Sequence, residues 1–260
     1  LHQHAGEMGP LPDNLRASTQ ASAVLFLLGR RPFGDGKAET CLILNKRSPK
    51  VRQPGDLCCP GGGIMPWLDV YLARLLRLKG SPLSYWADWK AWRNRRTDDA
   101  FNLSLLLATG LRESFEEMRL NPLGVRFLGA LPPQRLVMFH REIYPFACWV
   151  TRQRRFYPNW EVDKIVTIPL SCLLKPDNYA RYRLEIDLTT KRHGVRYRKE
   201  TKEFPCFLHR QGDHTERLWG ATFRITMVFL KWVFGFEPPE MEDLQTVDGR
   251  LDRHYTEGHV

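Results

Sequence analysis

Arg112-Glu113-Ser114-Phe115-Glu116-Glu117 sets three glutamates within five residues. It closes a run of mostly helix-compatible residues that begins at Leu105. At about 100° per residue, Glu113, Glu116 and Glu117 share an arc of about 100°. Leu107, Leu111, Phe115 and Met118 fall on the opposite side, which gives a helix with one apolar and one acidic face. Clustered carboxylates repel one another unless a cation sits between them. Hard oxygen ligands suit Mg²⁺ or Mn²⁺. The leading reading is therefore a metal-dependent hydrolase, with Glu116 and Glu117 as primary ligands. Glu113 is a third ligand or the base that orients water, and Arg112 orients a carboxylate by a bidentate bond. A solvated acidic face, with Arg112 and Glu116 paired at i,i+4, explains this helix alone equally well.

The rest of the chain shifts the balance. Upstream stand Leu42-Ile43-Leu44-Asn45-Lys46-Arg47-Ser48, then Arg52, Gly55 and Cys59-Pro60-Gly61-Gly62. Downstream stand Tyr157-Pro158-Asn159-Trp160-Glu161-Val162, Ile168-Pro169-Leu170 and Leu218-Trp219-Gly220-Ala221-Thr222. The 112–117 segment resembles the second half of the Nudix box: Gly, five residues, Glu, seven residues, Arg-Glu, an apolar residue, any residue, Glu-Glu, any residue, Gly. The flanking segments resemble, in order, the additional motifs of the coenzyme A diphosphatase branch of Nudix hydrolases. There are departures. Counting back from Arg112 puts Ser104 at the box's first Glu, the closing Gly is Arg119, and Ser114 takes an apolar place. The helix is expected to stop at Asn121, before Pro122.

The resemblance implies an α/β/α sandwich with a mixed sheet, a helical insertion at 64–104, and Mg²⁺ or Mn²⁺ as cofactor. It implies cleavage of a diphosphate linkage, with coenzyme A or acyl-coenzyme A as favoured substrate. Rivals are ADP-ribose, dinucleoside polyphosphates and nucleotide sugars, or a Nudix-fold module that binds RNA or nucleotides without catalysis. Gly61 and Gly62 are expected to shape the loop beside the metal, and Arg47 and Arg52 to bind substrate phosphates. An additional acid is sought in a later loop, at Glu161 or Glu142.

The 260 residues suffice for one large domain. The expected division is an N-terminal segment 1–17, a domain 18–235 and a C-terminal tail 236–260. No apolar run approaches the roughly 18 residues a spanning helix needs, so no membrane partner is expected. Six cysteines without a Cys-x-x-Cys pair read as reduced thiols, and the localisation expected is cytoplasmic. A net charge of +10 favours acidic partners. A phosphate-rich small molecule is preferred and nucleic acid is the less favoured choice. No His pair has metal-ligand spacing, and neither Gly-x-Ser-x-Gly nor a Walker-type loop occurs.

Val24–Leu28 and Thr40–Leu44 read as strands joined by a Gly34-Asp35-Gly36 turn. Leu68–Lys79 and Tyr85–Arg96 read as helices; the second carries Trp86, Trp89 and Trp92 at three-residue spacing among basic residues. That stripe reads as core or homodimer contact in preference to a base-stacking surface. Val125–Leu131, Glu142–Val150 and Lys164–Leu170 read as strands, Tyr182–Leu188 and Glu203–Leu208 as a hairpin, and Leu218–Phe234 as a final helix.

Overall fold

A computed structural model of the chain describes residues 15, 20–33, 37–95, 97–136, 141–187, 199–251 and 255. The expected Gly34–Gly36 turn, the basic tip at 191–194 and nearly all of the 1–17 segment lie outside these residues.

The apolar run beginning at Ala21 becomes the central strand β1 (Ala21–Phe33). It pairs antiparallel with β2 (Lys37–Arg47) at Leu27–Ile43 and parallel with β7 (Arg141–Val150) at Leu25–Phe146. β3 (Leu57–Cys58) and β8 (Val162–Pro169) pair with β2, and β4 (Gly61–Gly63) pairs with β1. β5 (Val125–Ala130) and β6 (Gln134–Leu136) pair with β7, which completes a mixed eight-stranded sheet.

Strand alternation sends β1 side chains to both faces. Leu25 and Leu27 pack with Leu105, Leu106 and Leu107 of helix α3 (Thr97–Met118). Val24, Phe26 and Leu28 pack with Phe223, Phe229 and Leu230 of helix α5 (Gly220–Phe234). A strand buried on both faces must be apolar throughout, and Leu25, Phe26 and Leu27 are fully buried. The architecture is the expected α/β/α sandwich. Gly110 fixes how closely α3 approaches β1, because a Cβ there would stand 2.8 Å from Leu25 Cδ2.

The 64–104 stretch holds helices α1 (Pro66–Leu76) and α2 (Trp89–Arg95), shorter than the spacing suggests. Trp86, Trp89 and Trp92 join the α3-side core at 5, 6 and 8% exposure. They stack on one another and, through Trp86, edge-on against Phe127. The core reading of the stripe is therefore the right one.

Four expectations are corrected. Helix α3 starts at Thr97, well before Leu105, with Asp98 and Asp99 in its first turn where carboxylates suit the helix dipole. It ends at Met118, with Arg119 in the left-handed conformation at φ 56°, whereas Asn121 is extended. Phe115 does not face the core: it is 44% exposed, beneath the Arg119 guanidinium. The late hairpin belongs to a second sheet in which β11 (His214–Leu218), β10 (Lys199–Gln211), β9 (Tyr179–Asp187) and β12 (Thr246–Leu251) lie side by side.

β12 arises inside the stretch read as a tail. It runs parallel to β9 and buries Leu251, and Tyr255 beyond it reaches back to Asp56 at 2.5 Å. A polar segment at a sheet edge leaves no apolar run to mark it in the sequence. α4 (Leu170–Leu173) is a short helix directly after β8. No described helix is long and apolar enough to cross a membrane.

Candidate active site

Arg112 is the hub. Its side chain is 5% exposed and every nitrogen donates. Nε donates to Asp69 Oδ1 at 2.7 Å, and Nη2 donates to the Gly63 carbonyl at 2.9 Å and to Glu113 Oε1 at 3.1 Å. Nη1 donates to both oxygens of Glu116, four residues on, at 3.2 and 3.3 Å. Burial alone would lower the guanidinium pKa, but the Asp69 hydrogen bond and the carboxylates around it hold it above its ordinary value.

Glu117 is the buried member of the acidic face. Its Oε2 accepts from Asn45 Nδ2 at 2.9 Å and from the Gly61 amide at 3.2 Å. Burial pushes its pKa up to about 8; the Gly61 amide opposes this and the charges of Glu113 and Glu161 reinforce it. Burial likewise raises Glu113, with Arg112 opposing and Glu116 and Glu161 adding to the rise. The side chain of Glu116 is half-exposed.

Strand β4 lies close to its neighbours at Gly61 and Gly62. Gly61 has φ 148°, and a Cβ on it would stand 2.2 Å from the Ala23 carbonyl oxygen. A Cβ on Gly62 would stand 2.6 Å from the Glu113 carboxyl carbon. We expect Gly61→Ala to cost at least about 3 kcal/mol, from forced backbone displacement and strained φ together. Chemical denaturation measures it. A loss below about 1 kcal/mol would show that β4 moves away from β1 freely.

The sequence-derived residues gather unevenly. Arg112, Glu113, Glu116, Glu117, Gly61 and Gly62 meet at one end of the sheet. Glu161 joins them, since its charge acts on both Glu113 and Glu117. Its backbone is pinned by Ser48 N–H donating to its carbonyl at 2.8 Å and by Asn159 Oδ1 accepting its N–H at 2.8 Å. Arg47 is near enough to lower Glu117, and its Nε donates to the Arg52 carbonyl at 2.7 Å. The Arg52 side chain is exposed. Glu142 instead accepts from Tyr144 on β7.

Two residues of the site escaped the sequence reading. Asn45 is 1% exposed; beyond its bond to Glu117, its Oδ1 is a buried oxygen without a hydrogen-bond partner among the described residues. A polar residue closing the apolar run of β2 was the available signal. The second is Asp69, 0% exposed, which also accepts from the Met65 amide at 2.7 Å and from Thr109 Oγ1 at 2.8 Å. Asp69 follows Gly63 after five intervening residues, the box's own spacing from Gly to its first acid. Ser104, where counting back from Arg112 puts the box's first acid, is buried in α3 and donates to the Ala100 carbonyl at 2.7 Å.

Among the described residues, no three His, Cys, Asp or Glu side chains are already disposed around one cation position. Glu113 and Glu116 lean on Arg112 and Glu117 on Asn45 and Gly61. The donor set nonetheless fits a hard divalent cation. It is all oxygen, it includes the unpartnered Asn45 Oδ1, and its carboxylates repel one another.

No family model matches the chain. Over 91 residues it is 34% identical to the uncharacterised Nudix hydrolase NudL of Pectobacterium atrosepticum. That stretch is 35% of this chain and 46% of the relative, so the chain spans about half the length of the curated protein it matches. The match supports the Nudix reading. Among solved structures, the chain is similar to a Nudix hydrolase from Alicyclobacillus acidocaldarius, with 16% identity, 60% of this chain and 82% of that one covered, and a TM-score of 0.37. It is also similar to the Nudix domain of Shewanella oneidensis NrtR complexed with ADP ribose, with 14% identity, 66% and 85% covered, and a TM-score of 0.37. At these scores neither likeness bears on substrate.

Proposed function

We propose that the chain is a Mg²⁺- or Mn²⁺-dependent Nudix hydrolase that cleaves a diphosphate linkage. The favoured substrate is coenzyme A or acyl-coenzyme A, giving 3′,5′-ADP and a 4′-phosphopantetheine product. The observation that carries the hydrolase reading is the convergence of Glu113, Glu116 and Glu117 with Glu161 beside the Gly61–Gly63 turn. The preference for coenzyme A is supported by the ordered motif resemblance in the sequence.

Glu113, Glu116 and Glu117, with Glu161 as the additional acid, would hold the cation. When bound, such a cation neutralises phosphate charge and lowers the pKa of its water. Arg112 keeps two carboxylates in register through hydrogen bonds that Asp69 anchors from behind. Asn45 and the Gly61 amide fix one oxygen of Glu117. As the alternative to ligation, Glu113 is the base that orients the attacking water. Arg47 and Arg52 offer charge to the substrate's phosphates.

Tyr157 and Trp160 are each 63% exposed in the loop that ends at Glu161. That loop is tied to the catalytic helix by the Tyr157 amide donating to Met118 O at 3.0 Å and the Asn159 amide donating to Glu117 O at 2.8 Å. An exposed ring beside a phosphate site suits stacking on a nucleobase. We expect Trp160→Ala to raise KM about tenfold with kcat little changed, since base–aromatic stacking is worth about 1–3 kcal/mol. An unchanged KM would remove Trp160 from the site.

Product analysis tests the function. The pure protein, with Mg²⁺ or Mn²⁺, is given coenzyme A, acetyl-coenzyme A, ADP-ribose, NADH and diadenosine polyphosphates. Release of 3′,5′-ADP with preference for the coenzyme A species is expected. Turnover of another member keeps the hydrolase and discards the substrate. No turnover by folded protein with either metal overturns the reading, and steeply salt-dependent RNA binding would then favour a binding module.

A further inference from the structure

Helix α1 presents an apolar stripe to solvent. Trp67, Tyr71 and Leu75, every fourth residue, are 69, 63 and 58% exposed, and Leu78 on the following turn is 58% exposed. At about 100° per residue Trp67, Tyr71 and Leu75 fall within about 80° of arc, and Leu78 lies just past the end of the helix. The opposite face of the same helix is buried through Asp69, Ala73 and Leu76. The helix thus has two sides, and among the described residues only the one opposite Trp67, Tyr71 and Leu75 is covered. Contiguous exposed apolar surface of this kind marks an interaction site.

Charge indicates the occupant. Between Pro66 and Gly80 the acidic residue is Asp69, which is buried against Arg112. The remaining charges are Arg74, Arg77 and Lys79, and Arg74 lies over the Tyr71 ring at 5.7 Å from its centroid. A second copy docked on this face would bring two such basic sets together, and an apolar protein groove would leave them unpaired. A Trp/Tyr/Leu stripe edged by Arg and Lys is the composition of a helix lying in a lipid interface.

We propose that this face of α1 rests on an anionic lipid surface. Trp67, Tyr71, Leu75 and Leu78 enter the headgroup–acyl boundary, and Arg74, Arg77 and Lys79 meet lipid phosphates. The sequence expectation of no membrane partner came from a test for spanning segments, which passes over a short surface helix. The binding does not depend on what the chain hydrolyses. Because α1 also carries Asp69, the docked face lies on the helix that anchors Arg112.

Co-sedimentation with phosphatidylcholine vesicles, with and without phosphatidylserine, tests it. Binding is expected only to the vesicles containing phosphatidylserine. Trp67→Ser/Tyr71→Ser/Leu75→Ser/Leu78→Ser lowers the partition coefficient at least about tenfold. Arg74→Glu/Arg77→Glu/Lys79→Glu lowers it about a hundredfold or more. Arg152→Glu/Arg154→Glu/Arg155→Glu makes the same change of net charge on a different loop and is expected to retain most of the binding. The proposal is overturned if the wild-type protein does not sediment. It is equally overturned if the serine variant binds as well as wild type, or if the 152–155 variant loses as much as the α1 charge variant. Should the serine variant fail to fold, the comparison of the two charge variants decides.

Discussion

Glu117→Gln lowers metal-dependent turnover about a thousandfold or more while the protein stays folded. Losing one charged ligand removes several kcal/mol of transition-state stabilisation, and each 1.36 kcal/mol is about a tenfold change in rate. Gln keeps the shape of the side chain and an oxygen for the Asn45 and Gly61 donors. Its amide neither carries the charge that a divalent cation needs nor repels Glu113 and Glu161. A fall in kcat/KM of less than tenfold, with Mg²⁺ or Mn²⁺ saturating, would sink Glu117 as a ligand.

The same substitution has a signature without metal. The Glu117 carboxyl, raised from 4.5 to about 8, binds its proton more tightly in the folded protein than in the unfolded chain. Between those values the folded state holds more protons, so its contribution to stability falls as pH rises. In a chelating buffer, denaturation midpoints of wild type are expected to fall over that window, and Glu117→Gln to flatten the fall. An unchanged slope in the variant would show that Glu117 is not the group responsible.

Asp69→Ala has the largest expected effect on stability. Asp69 is 0% exposed, and it neutralises a guanidinium whose side chain is only 5% exposed. Removing one partner of a buried pair costs about 3–5 kcal/mol when the other charge is left alone; Glu113 and Glu116 still face Arg112, so a cost at the lower end, about 3 kcal/mol, is expected. For a protein of this size that corresponds to a fall in Tm of about 10 °C. The Met65 amide and Thr109 hydroxyl lose their acceptor in the same step. Activity falls with stability, since Arg112 is then held only from the side of Glu113, Glu116 and Gly63. Ser104→Ala, at the position that simple counting assigns to the first acid, is expected to cost less than about 1 kcal/mol and to leave turnover unchanged. If the two variants behave alike, Asp69 is not the anchor.

The order of apolar runs and the spacing within residues 112–117 carried the architecture. β1 is apolar on both faces because helices cover both, and that is written in consecutive residues. The three glutamates lie three and four residues apart, so helical geometry alone brings them together. Trp89 and Trp92, one turn apart on α2, point inward for the same reason, whereas Trp86 precedes the helix and is buried by the turn before it.

What the sequence left unwritten depends on contacts between distant positions. Asp69 reaches Arg112 only because α1 packs across α3, and no local period relates the two. Asn45 becomes part of the site through the pleat of β2, which turns it toward Glu117. Phe115 obeyed the helical period but met no covering layer, so it stayed exposed and stacked on Arg119. β12 is stabilised by backbone hydrogen bonds to β9, which any sequence can make and none advertises. Local periodicity thus determined the strands, the helices and the acidic face, and the motif resemblance implied the sandwich. Tertiary packing alone decided which buried partner anchors Arg112, which amide orients Glu117, and which apolar side of α1 faces out, because each depends on where distant segments come to lie.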